Sequence, residues 1–283
     1  MADLFDFSPP PPLYAVMGNP VSHSLSPQIH AMFAQQFGMA LDYLRIQVDV
    51  GGFNQAVDGF RATGGQGVNV TVPFKIDAFE LADVRTERAE AAGAANTLSF
   101  KADRIHADNT DGAGLCRDIT RNLDVSVTGR QVLVIGAGGA VRGVLGPLLD
   151  EEPGALIIAN RSVDKADALA ELFASRGRIE AGGFDALPGR AFDLVINGTS
   201  ASLQGELPPL PRGLFKDAAL AYDMMYGGEG TPFLHWAAEH GAGKCADGLG
   251  MLVEQAAESF YVWHGKRPET APVIEKLKWS GNV

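Results

Sequence analysis

The chain has 283 residues, 46% of them apolar, enough for two modest domains that each fill a core. Its 23 Lys and Arg stand against 34 Asp and Glu, a formal charge of −11, so neither nucleic acid nor an anionic membrane surface is an expected partner. No apolar run reaches the roughly 18 residues of a membrane span, the first residues, Met1-Ala-Asp-Leu-Phe-Asp6, carry acids where a signal peptide needs bases, and Cys116 and Cys245 are far apart. A cytoplasmic protein with reduced thiols, no disulfide framework and no metal site is expected.

Pro9 to Pro12 read as a stiff exposed leader, residues 1–12. Leu13 to Gly18 reads as a first buried strand. Ser26-Pro27 follows as a helix cap with proline in the first helical position, and Ile29, Met32, Phe33 and Phe37 form an apolar helical stripe. Leu41 to Val48 alternates as a strand, and Val68 to Val72 is β-branched at alternate positions, with Pro73 ending it. Asn96 to Phe100 and Ile105 to Asp108 flank a charged turn at Asp103-Arg104, the pattern of a hairpin.

A second unit begins near Asp111. Gln131 to Gly136 is a strand running into glycines, Ala140 to Leu149 a helix, Ala155 to Asn160 a strand, and Val163 to Ser175 a helix. Phe192 to Asn197 and Ala219 to Met225 are further strands. This alternation predicts right-handed crossovers and a doubly wound parallel sheet, a Rossmann-type α/β unit. Beyond Asp247 the chain is helical, with Leu249, Leu252, Val253, Ala256 and Phe260 on one stripe.

Gly136-Ala137-Gly138-Gly139-Ala140 falls where a strand gives way to a helix, where glycines admit a pyrophosphate to the backbone and the helix N-terminus offers free N–H groups. Val141 takes the place of the third glycine of the general fingerprint. An NAD site wants an acid at the end of the next strand. Here stand Asn160, Arg161 and Ser162, with Lys165 one helical turn on, and two cations beside small polar groups suit a 2′-phosphate. NADP is the expected cofactor.

Lys75 follows Thr71-Val-Pro-Phe, and its company includes Asp111 and the run Val21 to Pro27, whose serines can donate to a carboxylate just before a helix. His23 has no acidic partner in local reach and is the weaker acid–base group. A cationic acid, a carboxylate partner and a nicotinamide are the parts of a carbonyl reductase.

Together, Gly18 to Pro27, Asn69 to Lys75, Gly93 to Thr97 and Asp108 to Gly112 resemble the substrate-side motifs of the shikimate dehydrogenase family. Gly136 to Ala140, Asn160 to Ser162 and Asn197 to Ser200 resemble its cofactor-side motifs, and Tyr222 to Tyr226 and Asp247 to Gln255 complete the set. The resemblance implies reversible NADPH-dependent reduction of 3-dehydroshikimate to shikimate, on the way to chorismate and the aromatic amino acids. It implies Lys75 and Asp111 as the catalytic pair, with proton transfer by either. Ser24 and Ser26 would hold the substrate carboxylate, with Thr71, Asn96, Tyr226 and Gln255 as further substrate contacts. Gly136, Ala137, Gly138, Gly139, Ala140, Asn160, Arg161, Ser162, Lys165 and Thr199 would contact NADP, with Gly248 and Met251 near the nicotinamide. Lys165 stands where the family often has arginine.

Two lobes are implied: a substrate lobe of residues 13–110 with 248–283 returning as helices, and an NADP lobe of 111–247. One chain would work as a monomer or homodimer. The rivals are an NAD-using quinate/shikimate dehydrogenase, whose sites tend to carry an acid where Asn160 stands, and a catalytically silent NADP-binding sensor, which would have lost one of these groups.

Overall fold

The structure, a computed structural model, describes residues 10–199, 206–227 and 230–279. Pro9 and Ser200, from the leader and the Asn197 motif, lie outside the described residues. The first strand begins at Leu13, as expected, and the Pro12 carbonyl before it accepts the Asp42 N–H.

The first sheet contains β1 (Leu13–Gly18), β2 (Asp42–Gln47), β3 (Gly65–Val70), β4 (Val84–Arg85), β5 (Thr97–Lys101) and β6 (Arg104–Asp108), in the spatial order β2-β1-β3-β5-β6-β4. β1 is parallel to β2 and β3, while β5 runs antiparallel to β3 and β6. Between the strands come α1 (Ser26–Gln36), α2 (Phe53–Ala62), α3 (Lys75–Leu81) and α4 (Glu87–Ala92). Met17, Phe53, Val57, Val68, Phe74 and Leu98 form one core of this unit.

Three local expectations shift. The β5–β6 turn is Ala102-Asp103, with φ of 47° and 64°, because two positive-φ residues match the strand twist; Arg104 is already paired with Lys101. β3 stops at Val70 rather than Val72, since the Phe74 N–H donates to the Thr71 carbonyl and turns the chain into α3. Ser26 is not a cap: it is the first residue of α1, and its N–H donates to Ser24 Oγ at 3.3 Å.

The second unit opens with α5 (Asp111–Arg117), which runs on through a π-helical turn, Asp118–Asn122. Then come β7 (Gln131–Ile135), α6 (Gly139–Asp150), β8 (Ala155–Ala159), α7 (Val163–Phe173), β9 (Ile179–Gly182), β10 (Phe192–Asn197), β11 (Phe215–Asp223), α8 (Pro232–Glu239) and β12 (Lys244–Ala246). All pairs in this sheet are parallel, in the order β12-β11-β10-β7-β8-β9, the expected doubly wound arrangement. The winding reverses between β7 and β10, which opens a crevice at the carboxyl ends of the strands. Val134, Leu145 and Ile196 belong to one of its two cores, Leu133, Ile157 and Val195 to the other.

The chain returns through α9 (Leu249–His264) and α10 (Ala271–Trp279), whose Val253, Phe260 and Leu277 pack with Ile29 and Phe33 of α1. α5 is the joint between the two units. A Cβ at Gly112 would fall 2.8 Å from the Gly143 carbonyl of α6, and one at Gly114 would fall 2.7 Å from the Gln255 N of α9. These helices meet so closely only because glycine stands at each contact. The same packing fixes where Asp111 points.

Candidate active site

Lys75 begins α3 and Asp111 begins α5, so each side chain leaves the first turn of a helix that follows a strand of the first sheet. The Lys75 Nζ donates to Asp111 Oδ2 at 2.5 Å, with the lysine side chain 31% exposed and the aspartate 12%. The other carboxylate oxygen, Oδ1, accepts from Asn96 Nδ2 at 2.8 Å. Asn96 is itself fixed: its Oδ1 accepts the Thr110 N–H at 2.9 Å and the Thr97 hydroxyl at 2.9 Å. Asn109 Oδ1 accepts the Asp111 N–H, and Arg88 pairs with Asp108 and Glu258 behind the turn. The pair is therefore held from behind and open on the lysine side.

That side faces a cleft of 430 Å³. Lys75, Asp111, Ser24, Ser26, Thr71, Asn96, Tyr226 and Gln255 all line it, as do Ala140, Gly248 and Met251. The sequence-predicted residues of both units thus converge on one space. The serines meet at its far end, where Ser24 Oγ donates to Ser26 Oγ at 3.2 Å. Thr71 crosses over the end of β1, where a Cβ on Gly18 would fall 2.3 Å from its Cγ2. Gln255 Oε1 accepts from Asn96 at 3.2 Å and its Nε2 donates to the Leu252 carbonyl, so its amide is oriented. His23 also lines the cleft, exposed and without an ion-pair partner among the described residues. A larger groove of 810 Å³ opens around Lys244 and Lys278 but contains neither Lys75 nor Asp111.

The glycine loop runs from β7 into α6. Gly136 has φ +110°, a conformation glycine adopts without strain, and a Cβ at Gly138 or Gly139 would meet nothing within 4 Å, so backbone N–H groups of the first turn of α6 stand open to an anion. Thr199 flanks Gly136 and is tied by its hydroxyl and N–H to Asn197 Oδ1. Asn160 follows β8 and donates to the Ser162 carbonyl, while Arg161, Ser162 and Lys165 are exposed. Neither Arg161 nor Lys165 forms an ion pair with a described residue, so both cations are free for a phosphate. Apart from Ala140, these loop residues lie outside the cleft lining, along the crevice that leads to it.

Three family models match: "Shikimate dehydrogenase substrate binding domain" over residues 16–98, "Shikimate / quinate 5-dehydrogenase" over 118–204 and "Shikimate 5'-dehydrogenase C-terminal domain" over 248–278. The chain is 60% identical over 265 residues to a shikimate dehydrogenase (NADP(+)) of Alkalilimnicola ehrlichii, covering 94% of this chain and 98% of that one. The chain belongs to the shikimate dehydrogenase family. Among solved structures it resembles an Ael1 enzyme from Pseudomonas putida, at 50% identity and TM-score 0.90, over 94% of this chain and 98% of that one. It also resembles shikimate 5-dehydrogenase from Thermus thermophilus, described in complex with NADP(H) and shikimate, at 29% identity and TM-score 0.83, over 95% and 99%.

Within this shikimate dehydrogenase fold, two residues inside the quoted motifs were given no site role by the sequence. Asn69 lines the cleft, and its Nδ2 reaches the Asn96 carbonyl, Thr97 Oγ1 and Ser259 Oγ. The signal was there: a polar amide inside a buried β-branched strand requires a partner. Asp223, at the end of β11, accepts from Asn197, from the Thr231 hydroxyl at 2.6 Å and from the Met225 N–H, and so braces Met224 and Met225 in the cleft wall. Its signal is an acid at the carboxyl end of a parallel strand.

Proposed function

We propose that this chain catalyses the reversible NADPH-dependent reduction of 3-dehydroshikimate to shikimate, a step in chorismate and aromatic amino acid biosynthesis. The observation that carries the reading is the Lys75–Asp111 pair, held at 2.5 Å and facing the cleft where the two units meet. NADP, when bound, exchanges a hydride with the substrate carbon. The chain supplies the rest. As the ketone is reduced, negative charge grows on its oxygen, and the Lys75 ammonium stabilises that charge and is placed to deliver a proton. Asp111 aims the ammonium, and Asn96 in turn aims Asp111. In the oxidative direction the same two groups take the proton back.

Ser24 and Ser26 hold the substrate carboxylate, and Thr71, Asn96, Tyr226 and Gln255 orient its ring hydroxyls. The loop Gly136 to Ala140 and the α6 N-terminus would hold the pyrophosphate, with Thr199 at its side. Asn160, Arg161, Ser162 and Lys165 would hold the 2′-phosphate; an amide at Asn160 supports NADP over NAD, because a carboxylate there would repel that group. Gly248 and Met251 would lie beside the nicotinamide. In this reading residues 13–110 and 248–283 form the substrate lobe and 111–247 the NADP lobe. A cytoplasmic location and action as a monomer or homodimer complete it, in keeping with two unpaired thiols and a whole cleft in one chain.

Initial rates with shikimate and with quinate, each with NADP and with NAD, test the reading. Turnover confined to NADP with shikimate is expected. Comparable turnover with NAD or quinate would move the chain to the dual-specificity relatives, and no turnover would leave a binding protein.

A further inference from the structure

The serine turn that takes the carboxylate is a short loop, and the strand behind it holds it in shape. β2 carries Tyr43 and Arg45 two residues apart, so both side chains leave one face of this edge strand. The Tyr43 hydroxyl donates to Asn69 Oδ1 at 2.7 Å. Arg45 Nε donates to the Ser24 carbonyl at 2.9 Å. Asn69, Ser24 and Ser26 line the cleft; Tyr43 and Arg45 do not.

The Tyr43 ring is itself fixed. It stacks on His30 with centroids 4.5 Å apart and planes 15° apart, and Trp263 leans on it at 6.4 Å. His30 is wholly buried with no hydrogen-bond partner on either ring nitrogen among the described residues, so it serves as a flat neutral slab. Burial raises the Tyr43 phenol well above its ordinary value, so the hydroxyl stays a donor at every working pH. By donating to Oδ1, it also decides which way the Asn69 amide faces, leaving Nδ2 toward Thr97 and Ser259.

We propose that Tyr43 is a positioning residue for the carboxylate subsite. It locks the Asn69 amide, part of the wall of the cleft that Ser24 and Ser26 also line, while Arg45 tethers Ser24 from the same strand. This rests on the reading that Ser24 and Ser26 take the carboxylate.

Tyr43→Phe keeps the ring stack and removes only the hydroxyl. KM for shikimate is expected to rise about fivefold, equivalent to about 1 kcal/mol, with kcat changed by less than about twofold and KM for NADP unchanged. In an Asn69→Ala background the same change should add less than about twofold, because the group it positions is gone. An unchanged KM, a parallel rise in both KM values, or full additivity in that background would overturn the proposal. If Tyr43→Phe does not fold, Arg45→Gln, at an exposed position, tests the strand's role: KM for shikimate alone rises about threefold, and no change refutes it. A wild-type protein that does not oxidise shikimate would instead refute the functional reading itself.

Discussion

His30 makes the protein sensitive to acid. Burial, with a smaller contribution from neighbouring His264, lowers its pKa from 6.5 to about 3. The unfolded chain therefore takes up a proton that the folded chain refuses. Stability is complete above pH 6.5 and falls as the pH drops from 6.5 toward 3. At pH 5 the unfolded state is favoured over one and a half pH units, at about 1.4 kcal/mol each, or about 2 kcal/mol. His30→Phe keeps a flat ring against Tyr43 and removes the titration. The larger ring costs about 1–3 kcal/mol of overpacking, but equally at both pH values. Urea unfolding of wild type and variant at pH 8 and pH 5 separates the two effects. The wild type should lose about 2 kcal/mol more than the variant between these conditions. Equal losses would show that His30 is reached by water or finds a partner, and would refute the neutral slab beneath Tyr43.

Arg161→Ala should raise KM for NADP at least about tenfold and KM for shikimate less than about twofold; equal effects would mean the 2′-phosphate site is misplaced. Gly114→Ala puts a methyl 2.7 Å from the Gln255 N and 2.9 Å from the Met251 carbonyl, which forces α5 and α9 apart. A loss of about 1–3 kcal/mol, read as a lower Tm, is expected, and an unchanged Tm would contradict the close contact. Asn96→Ala strands Asp111 Oδ1 and the Thr110 N–H inside the protein, and chemical denaturation should show a loss of about 3 kcal/mol. A loss below about 1 kcal/mol would mean that water takes over its bonds.

The sequence was most legible where chemistry and periodicity coincide. The strand Gln131 to Ile135, the glycines after it and the cations after β8 are contiguous, so the doubly wound unit and its cofactor preference could be read along the chain. The Thr71 to Lys75 and Asp108 to Asp111 segments pointed to the Lys75–Asp111 pair because each holds a polar group at the end of a strand. Tyr43 was hidden, because its importance comes from Asn69 and His30, which lie far from it in sequence. The close approach of α5 to α9 was hidden for the same reason: Gly114 gives no local clue that α9 returns across it. α8 was missed although Thr231-Pro232 carries its signal, a hydroxyl that accepts the Leu234 N–H and a proline in the first turn. The misplaced turn at Asp103-Arg104 followed the charge, whereas the backbone follows the two positive-φ positions at Ala102 and Asp103.

The central claim is that Lys75, aimed by Asp111, acts on the reacting carbonyl rather than merely binding the substrate. Comparing Lys75→Ala with wild type, by kcat for shikimate oxidation and by calorimetric affinity for shikimate, tests it most directly. Because the lysine acts chiefly in the transition state, kcat should fall by at least about a thousandfold while affinity changes by less than about tenfold. A variant that keeps near-wild-type kcat, or that loses affinity and turnover in equal measure, would contradict it.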